Sequence, residues 1–171
     1  MKKIDEQKVL RGNRFDVHRM TLLGSDDRRY QRDVIRHPGA VVIVPVLDDD
    51  RVVLIRNTRP TVETTLLELP AGTREPDEDP IVCAKRELIE ETGYRAETFE
   101  LLHEFYSAPG ISDERMWLYA ATDLVHVGAD REATEQIENQ IATGDQIRQW
   151  LRSGEIRDGK TLVGLYAWLS R

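Results

Sequence analysis

The sequence predicts an α/β or α+β sandwich, and three observations carry that prediction. Two short β-branched runs, AVVIVPVL (40–47) and RVVLIR (51–56), have the make-up of buried sheet strands and are joined by an acidic turn. The segment 80–92 carries both the start and the stop signals of a helix. Two further amphipathic stretches, 144–153 and 158–170, read as helices, so strands precede helices over connections of mixed length. A chain of 171 residues suits one domain with a substantial core, or one domain with a small appendage.

The elements follow in order. Residues 15–23 and 28–36 flank the turn-rich GSDD and read as a β-hairpin, so 1–36 is set apart as an N-terminal hairpin region and 37–171 as the main domain. LLELP (66–70) adds a short strand ended by Pro70. In the 80–92 helix Asp79 is the cap, Pro80 takes the first helical position and Gly93 follows the last turn. Ile81, Ala84 and Leu88 form its apolar stripe. Residues 99–107 and 115–124 read as strands on either side of APGISDE, and Asp158 caps the last helix.

Composition narrows the function. With 24 Lys and Arg against 31 Asp and Glu the formal charge is −7, which argues against a broad nucleic-acid or anionic-membrane surface. A single cysteine excludes an intrachain disulfide and fits a reducing compartment. MKKIDEQKVL lacks the apolar run of a signal peptide and no stretch reaches the length of a membrane span, so a cytoplasmic location is expected.

The segment GTREPDEDPIVCAKRELIEETGY (72–94) is the chemically unusual one. Glu87, Glu90 and Glu91 stand at i, i+3 and i+4, so a helix places them on one face. Like charges at that spacing repel by a few tenths of a kcal/mol per pair, roughly, which something positive must offset. Alone, such a face is an ordinary solvated surface. Clustered hard carboxylates with no His or Cys pattern suit Mg²⁺ or Mn²⁺ rather than Zn²⁺. Cys83, among acids, reads as a small packing residue.

Gly72, Glu78, Arg86-Glu87-Leu88, Glu90-Glu91, Gly93 and Tyr94 together match every fixed position of the signature of the Nudix hydrolases, metal-dependent enzymes that cleave nucleoside diphosphates linked to another moiety. The resemblance implies a Nudix-type α/β/α sandwich with a mixed sheet. It also implies a metal held by Glu87 and Glu91 and by the Ala71 carbonyl, with Glu90 joining them or holding a water at the metal. Arg86 would orient the carboxylates by ion pairing, and Gly72 would let the loop backbone approach the metal.

Further stretches resemble the ADP-ribose pyrophosphatase branch of that family: HPGAVVIVPV (37–46), LIRNTRP (54–60), ELPAG (68–72) and SAPGISDE (107–114). Arg56 and Arg59 match the two arginines of the branch's Arg-Gln-Tyr-Arg motif and suit phosphate or terminal ribose, although Asn57 and Thr58 replace its Gln and Tyr. Pro109 and Gly110 set a turn, and Ser112, Asp113 and Glu114 offer hydrogen bonds to substrate. Glu68 is either a support for the metal ligands or a buried strand-end acid. Phe15 and Tyr30 either wall an adenine or pack the hairpin. The general base implied by the resemblance is a glutamate of the loop ADREATEQIENQ (129–140). Glu135 lies nearest the expected position, Glu132 is the alternative, and Glu138 faces solvent on the next strand. The branch also implies a homodimer built through the N-terminal hairpin.

The resulting expectation is metal-dependent hydrolysis of ADP-ribose, or a related nucleoside diphosphate sugar, to AMP and ribose 5-phosphate. GDP-mannose, NADH-type or oxidised-nucleotide substrates stay open, as does a catalytically silent nucleotide-binding module. Nucleic-acid cap processing is disfavoured by the net acidity.

Overall fold

The computed structural model describes residues 1–129 and 137–171. Its elements are β1 (Lys2–Arg11), β2 (Asp16–Leu23), β3 (Arg29–Arg36), β4 (Ala40–Pro45), β5 (Val52–Arg59), β6 (Thr64–Glu68), β7 (Ala71–Thr73), α1 (Pro80–Thr92), β8 (Tyr94–Tyr106), β9 (Arg115–His126), β10 (Ile137–Ala142), α2 (Gly144–Ser153) and α3 (Gly159–Leu169). They fall into two compact units, Met1–Gly39 with Phe105–Met116, and Ala40–Glu104 with Trp117–Arg171. Among the described residues no helix is long and apolar enough to cross a membrane.

The first unit is built on a three-stranded antiparallel sheet in the order β1-β2-β3. The expected hairpin forms β2 and β3, closed at Gly24, whose N–H donates to the Arg28 carbonyl at 2.9 Å. Lys2–Arg11 adds a third strand, broken by bulges between Lys3 and Asp5 and between Lys8 and Leu10. The segment 107–114 belongs to this unit. The Ile35 N–H donates to the Ile111 carbonyl, and the His37 N–H to Asp113 Oδ1 at 2.9 Å. Arg36 joins β1 to that segment, with Nε and Nη2 on Glu6 and Nη1 on Asp113.

In the second unit β4 is buried at every residue, as a strand covered on both faces must be. Its side chains alternate. Val41 and Ile43 pack with Cys83, Ala84 and Leu88 of α1. Val44 faces α3, where a Cβ on Gly164 would stand 2.4 Å from Leu69 Cδ1 and 3.6 Å from Val44 Cγ2. The strand therefore lies between two helices, in the sheet ordered β7-β4-β9-β8, and the second sheet of this unit is ordered β10-β5-β6. This is the mixed α and β sandwich the sequence predicts.

The 80–92 helix forms as expected. Asp79 accepts from the Ile81 N–H at 3.0 Å, a cap that contributes about 1 kcal/mol, and Gly93 ends the helix at φ 77°, donating to the Ile89 carbonyl. Thr143 and Gln146 make a reciprocal capping box on α2, and Asp158 caps α3 by accepting from the Thr161 N–H.

Candidate active site

The acids of α1 lie against the Ala71–Gly72 segment. Glu87 and Glu91 are buried, at 9% and 3% exposure, and Glu90 is half-buried. Glu91 Oε2 accepts from the Ala71 N–H at 2.9 Å. A Cβ on Gly72 would stand 1.8 Å from Glu87 Cδ and 2.0 Å from its Oε1. The glycine is required here because its missing side chain leaves the space that the Glu87 carboxylate fills. Its φ is not positive, so conformational freedom is not the reason.

Arg86 supplies the positive charge that the crowded acids require. Its Nη1 donates to Glu87 Oε1 at 2.7 Å and Glu90 Oε2 at 2.8 Å, while Nε and Nη2 reach Glu78 at 3.1 and 3.2 Å. One guanidinium thus ties the loop before α1 to two successive turns of the helix. Glu78 is occupied by this pairing, which holds its carboxyl below the usual range. Cys83 is fully buried, and burial followed by Glu87 and Glu78 pushes its thiol well above its ordinary range, so it is inert packing.

The donor set fits a hard divalent cation in kind. Glu87, Glu91 and the Ala71 backbone offer oxygen only, and the Gly72 cradle keeps two buried like charges close to that backbone. Among the described residues no three acids, histidines or cysteines gather tightly enough to hold an ion by themselves. Mg²⁺ takes one or two carboxylates and completes its shell with water and phosphate oxygens.

A second charge cluster stands at the loop between β6 and β7. Glu68, 0% exposed, accepts Arg59 Nε at 2.8 Å and Nη2 at 2.7 Å, and Lys160 Nζ at 2.5 Å. Lys160 also pairs with Asp158 at 2.9 Å. Burial pushes the Asp158 carboxyl up, but Lys160 and Thr161 outweigh it and hold it below its ordinary value. Glu68 is thus a buried acid at the end of β6, held by both cations. Lys160 escaped sequence reasoning because its partner lies 92 positions away. The only signal was Asp-Gly-Lys-Thr at a helix start, which by itself reads as a cap.

Arg56 lies on β5 and donates through Nε to Gln140 of β10 at 3.4 Å. Pro109, Gly110, Ser112 and Glu114 lie in the first unit. There Ser107 Oγ bonds Glu114 Oε2 at 2.5 Å, and Ser112 Oγ accepts from the Glu114 N–H. Phe15 and Tyr30 are exposed, with Tyr30 donating to Asp26 at 2.7 Å. Glu132 and Glu135 lie outside the described residues, and Glu138 is exposed on β10. Both flanks of that segment tie to the carboxyl end of α1. The Val127 and Gly128 N–H groups donate to the Gly93 carbonyl, and Asn139 Nδ2 to the Thr92 carbonyl at 2.7 Å.

Comparison with known proteins gives a consistent set. The family model described as NUDIX domain matches residues 36–169. The chain is 33% identical over 173 residues to a methanol dehydrogenase activator of Bacillus methanolicus, covering 96% of this chain and 94% of that one. It is 31% identical over 166 residues to an ADP-ribose pyrophosphatase of Bacillus subtilis (strain 168), covering 96% and 90%. Identity to a GDP-mannose pyrophosphatase of Escherichia coli is 32% over 176 residues, covering 92% and 90%. The solved structure of an ADP compounds hydrolase shares the fold, with TM-score 0.86 over 99% of this chain and 94% of that chain at 23% identity.

Proposed function

This chain belongs to the Nudix family, and from that premise we propose that it hydrolyses the pyrophosphate bond of ADP-ribose, or of a related nucleoside diphosphate sugar, giving AMP and ribose 5-phosphate. The observation that carries the reading is the packing of Glu87 and Glu91 against Ala71 and Gly72, with Arg86 holding Glu87 and Glu90. The ADP-ribose pyrophosphatase of B. subtilis, similar over nearly the whole chain, supports the substrate class.

Glu87, Glu91 and the Ala71 carbonyl would hold the divalent cation, Mg²⁺ or Mn²⁺. When bound, the cation neutralises pyrophosphate charge and makes water a better nucleophile at neutral pH. Arg86 keeps the carboxylates aligned, and Glu90 joins them or orients a water. Arg56 and Arg59 are assigned to recognition of phosphate or terminal ribose, and Pro109, Gly110, Ser112 and Glu114 to substrate binding. Glu135, with Glu132 as alternative, accepts the proton of the attacking water. The bond from the attacked phosphorus to the bridging oxygen breaks, and its electron pair leaves with the second phosphate.

A homodimer formed through the N-terminal sheet and a cytoplasmic location complete the reading. Exposed Ile4, Val9, Leu10 and Phe15 in that unit support the dimer. GDP-mannose is a second reading, favoured by the E. coli relative. Incubation with ADP-ribose and Mg²⁺, with product chromatography, tests the proposal. Equal yields of AMP and ribose 5-phosphate, abolished by a chelator, are expected, whereas intact ADP-ribose beside cleaved GDP-mannose transfers the assignment.

A further inference from the structure

We propose that the first turn of α3, through Lys160 and Thr161, positions the backbone of the divalent-cation site; this rests on the reading of that site given above. Residues 68–71 form the segment that carries the Ala71 carbonyl. Each of them is bonded to at least one other element. Glu68 is held by the Arg59 fork from β5 and by Lys160 of α3. The Leu69 N–H donates to Thr161 Oγ1 at 2.8 Å, and this bond is buried. The Pro70 carbonyl accepts from the Ile43 N–H of β4 at 2.9 Å. The Ala71 N–H meets Glu91 of α1.

The α3 contacts are the part that the family signature does not cover, since it ends at Tyr94. Thr161 is 0% exposed, and its hydroxyl has no freedom to turn elsewhere. It donates to Asp158 Oδ2 at 2.6 Å and accepts from Leu69, using its one proton and one lone pair. Asp158 in turn pairs with Lys160, which reaches Glu68. Asp158, Lys160, Glu68 and Arg59 are two anions and two cations, so the network is balanced in charge. Two routes, one through a hydroxyl and one through a charge, therefore join the start of α3 to the loop two and three residues before Ala71. A displaced loop would move the Ala71 carbonyl, and it would also move the N–H that orients Glu91. Supporting groups of this kind change metal affinity by about 10–100-fold when removed.

The test compares Thr161→Val, which keeps the shape and removes the hydroxyl, with Thr161→Ser, which keeps the hydroxyl. Mn²⁺ binding to the substrate-free chain is measured by calorimetry, and kcat and KM are then measured at saturating Mg²⁺. Thr161→Val is expected to weaken Mn²⁺ binding by about tenfold while KM for the nucleotide at saturating metal stays near that of the parent. Thr161→Ser is expected to bind Mn²⁺ as the parent does. Lys160→Arg, which retains the charge, should also keep parental affinity, whereas Lys160→Met should weaken it. A folded Thr161→Val with parental Mn²⁺ affinity overturns the proposal. If Thr161→Val does not fold, Thr161→Ser and Lys160→Met decide: parental affinity in Lys160→Met, or lost affinity in a folded Thr161→Ser, overturns it. A parent chain that binds no Mn²⁺ overturns the metal reading itself, a result distinct from a variant that binds as well as its parent.

Discussion

Replacing Gly72 by alanine is the sharpest perturbation of the site, because the structure states what the added methyl meets. The new Cβ would lie 1.8 Å from Glu87 Cδ and 2.3 Å from Oε2. An ordinary contact begins at 3.4 Å, so the carboxylate must retreat by about 1.6 Å or the β7 backbone must move as far. Glu87 cannot retreat freely, since its helix is held along the adjacent stripe by Ala84 and Leu88, buried against β4. A shift of that size carries Oε1 away from Arg86 Nη1, now at 2.7 Å, and moves a proposed ligand oxygen out of register with the Ala71 carbonyl. Misplacement of about 1 Å at a reacting site costs on the order of 100-fold in rate. Forcing one methyl into a packed site costs about 1–3 kcal/mol of stability. Gly72→Ala should therefore fold, melt several degrees lower, and lose roughly 100-fold or more in kcat with weakened Mn²⁺ binding. Steady-state kinetics and calorimetric Mn²⁺ titration read both effects. Parental kcat and parental Mn²⁺ affinity in a folded Gly72→Ala chain would refute the reasoning.

Three other outcomes are expected. Glu91→Gln keeps the Ala71 N–H bond to an amide oxygen but removes the proposed ligand charge, so kcat should fall by orders of magnitude with little change in melting temperature; an unchanged rate at saturating Mg²⁺ removes Glu91 from the proposed ligand set. Glu135→Gln should lower kcat strongly and leave KM nearly unchanged, and if only Glu132→Gln does so, the base is Glu132. In the N-terminal sheet, Glu6 faces Arg36 of β3, Lys3 of its own strand and His18 of β2, and hydrogen bonds from Arg36 and Lys3 hold its carboxyl down to about 2 from 4.5. A lowered folded value means that the stabilisation is fully present above pH 4.5 and is lost as pH falls toward 2. Carboxyl titration of Glu6 by NMR checks this, and a midpoint at its ordinary value contradicts it.

The fold was legible wherever the chain carries local signals. Asp79-Pro80 and Gly93 mark α1 to the residue, and Asp158 lies where a cap belongs. Strand β1 was not legible. KKIDEQKVLR has neither alternation nor a turn signal, its pairing with β2 is interrupted by two bulges, and only Glu6 within it is even half-buried. Strand β7 is three residues long, too short to show a period, and its existence depends on β4. At the site, the spacing of Glu87, Glu90 and Glu91 on one face was readable from helical geometry alone. The role of Gly72 as a space for Glu87 was not, because it depends on how closely β7 approaches α1. The Glu68 cluster was hidden for the same kind of reason: Arg59, Glu68 and Lys160 meet only after β5, β6 and α3 are assembled.

The account's central claim is that these carboxylates serve a pyrophosphohydrolase for ADP-ribose-type substrates. Its most direct test is kcat/KM measured side by side for ADP-ribose, GDP-mannose, NADH and a nucleoside triphosphate at saturating Mg²⁺. The highest value is expected for ADP-ribose, with loss of activity on chelation and recovery on adding Mg²⁺ or Mn²⁺. A higher value for GDP-mannose or the triphosphate, or cleavage that persists without a divalent cation, would contradict it.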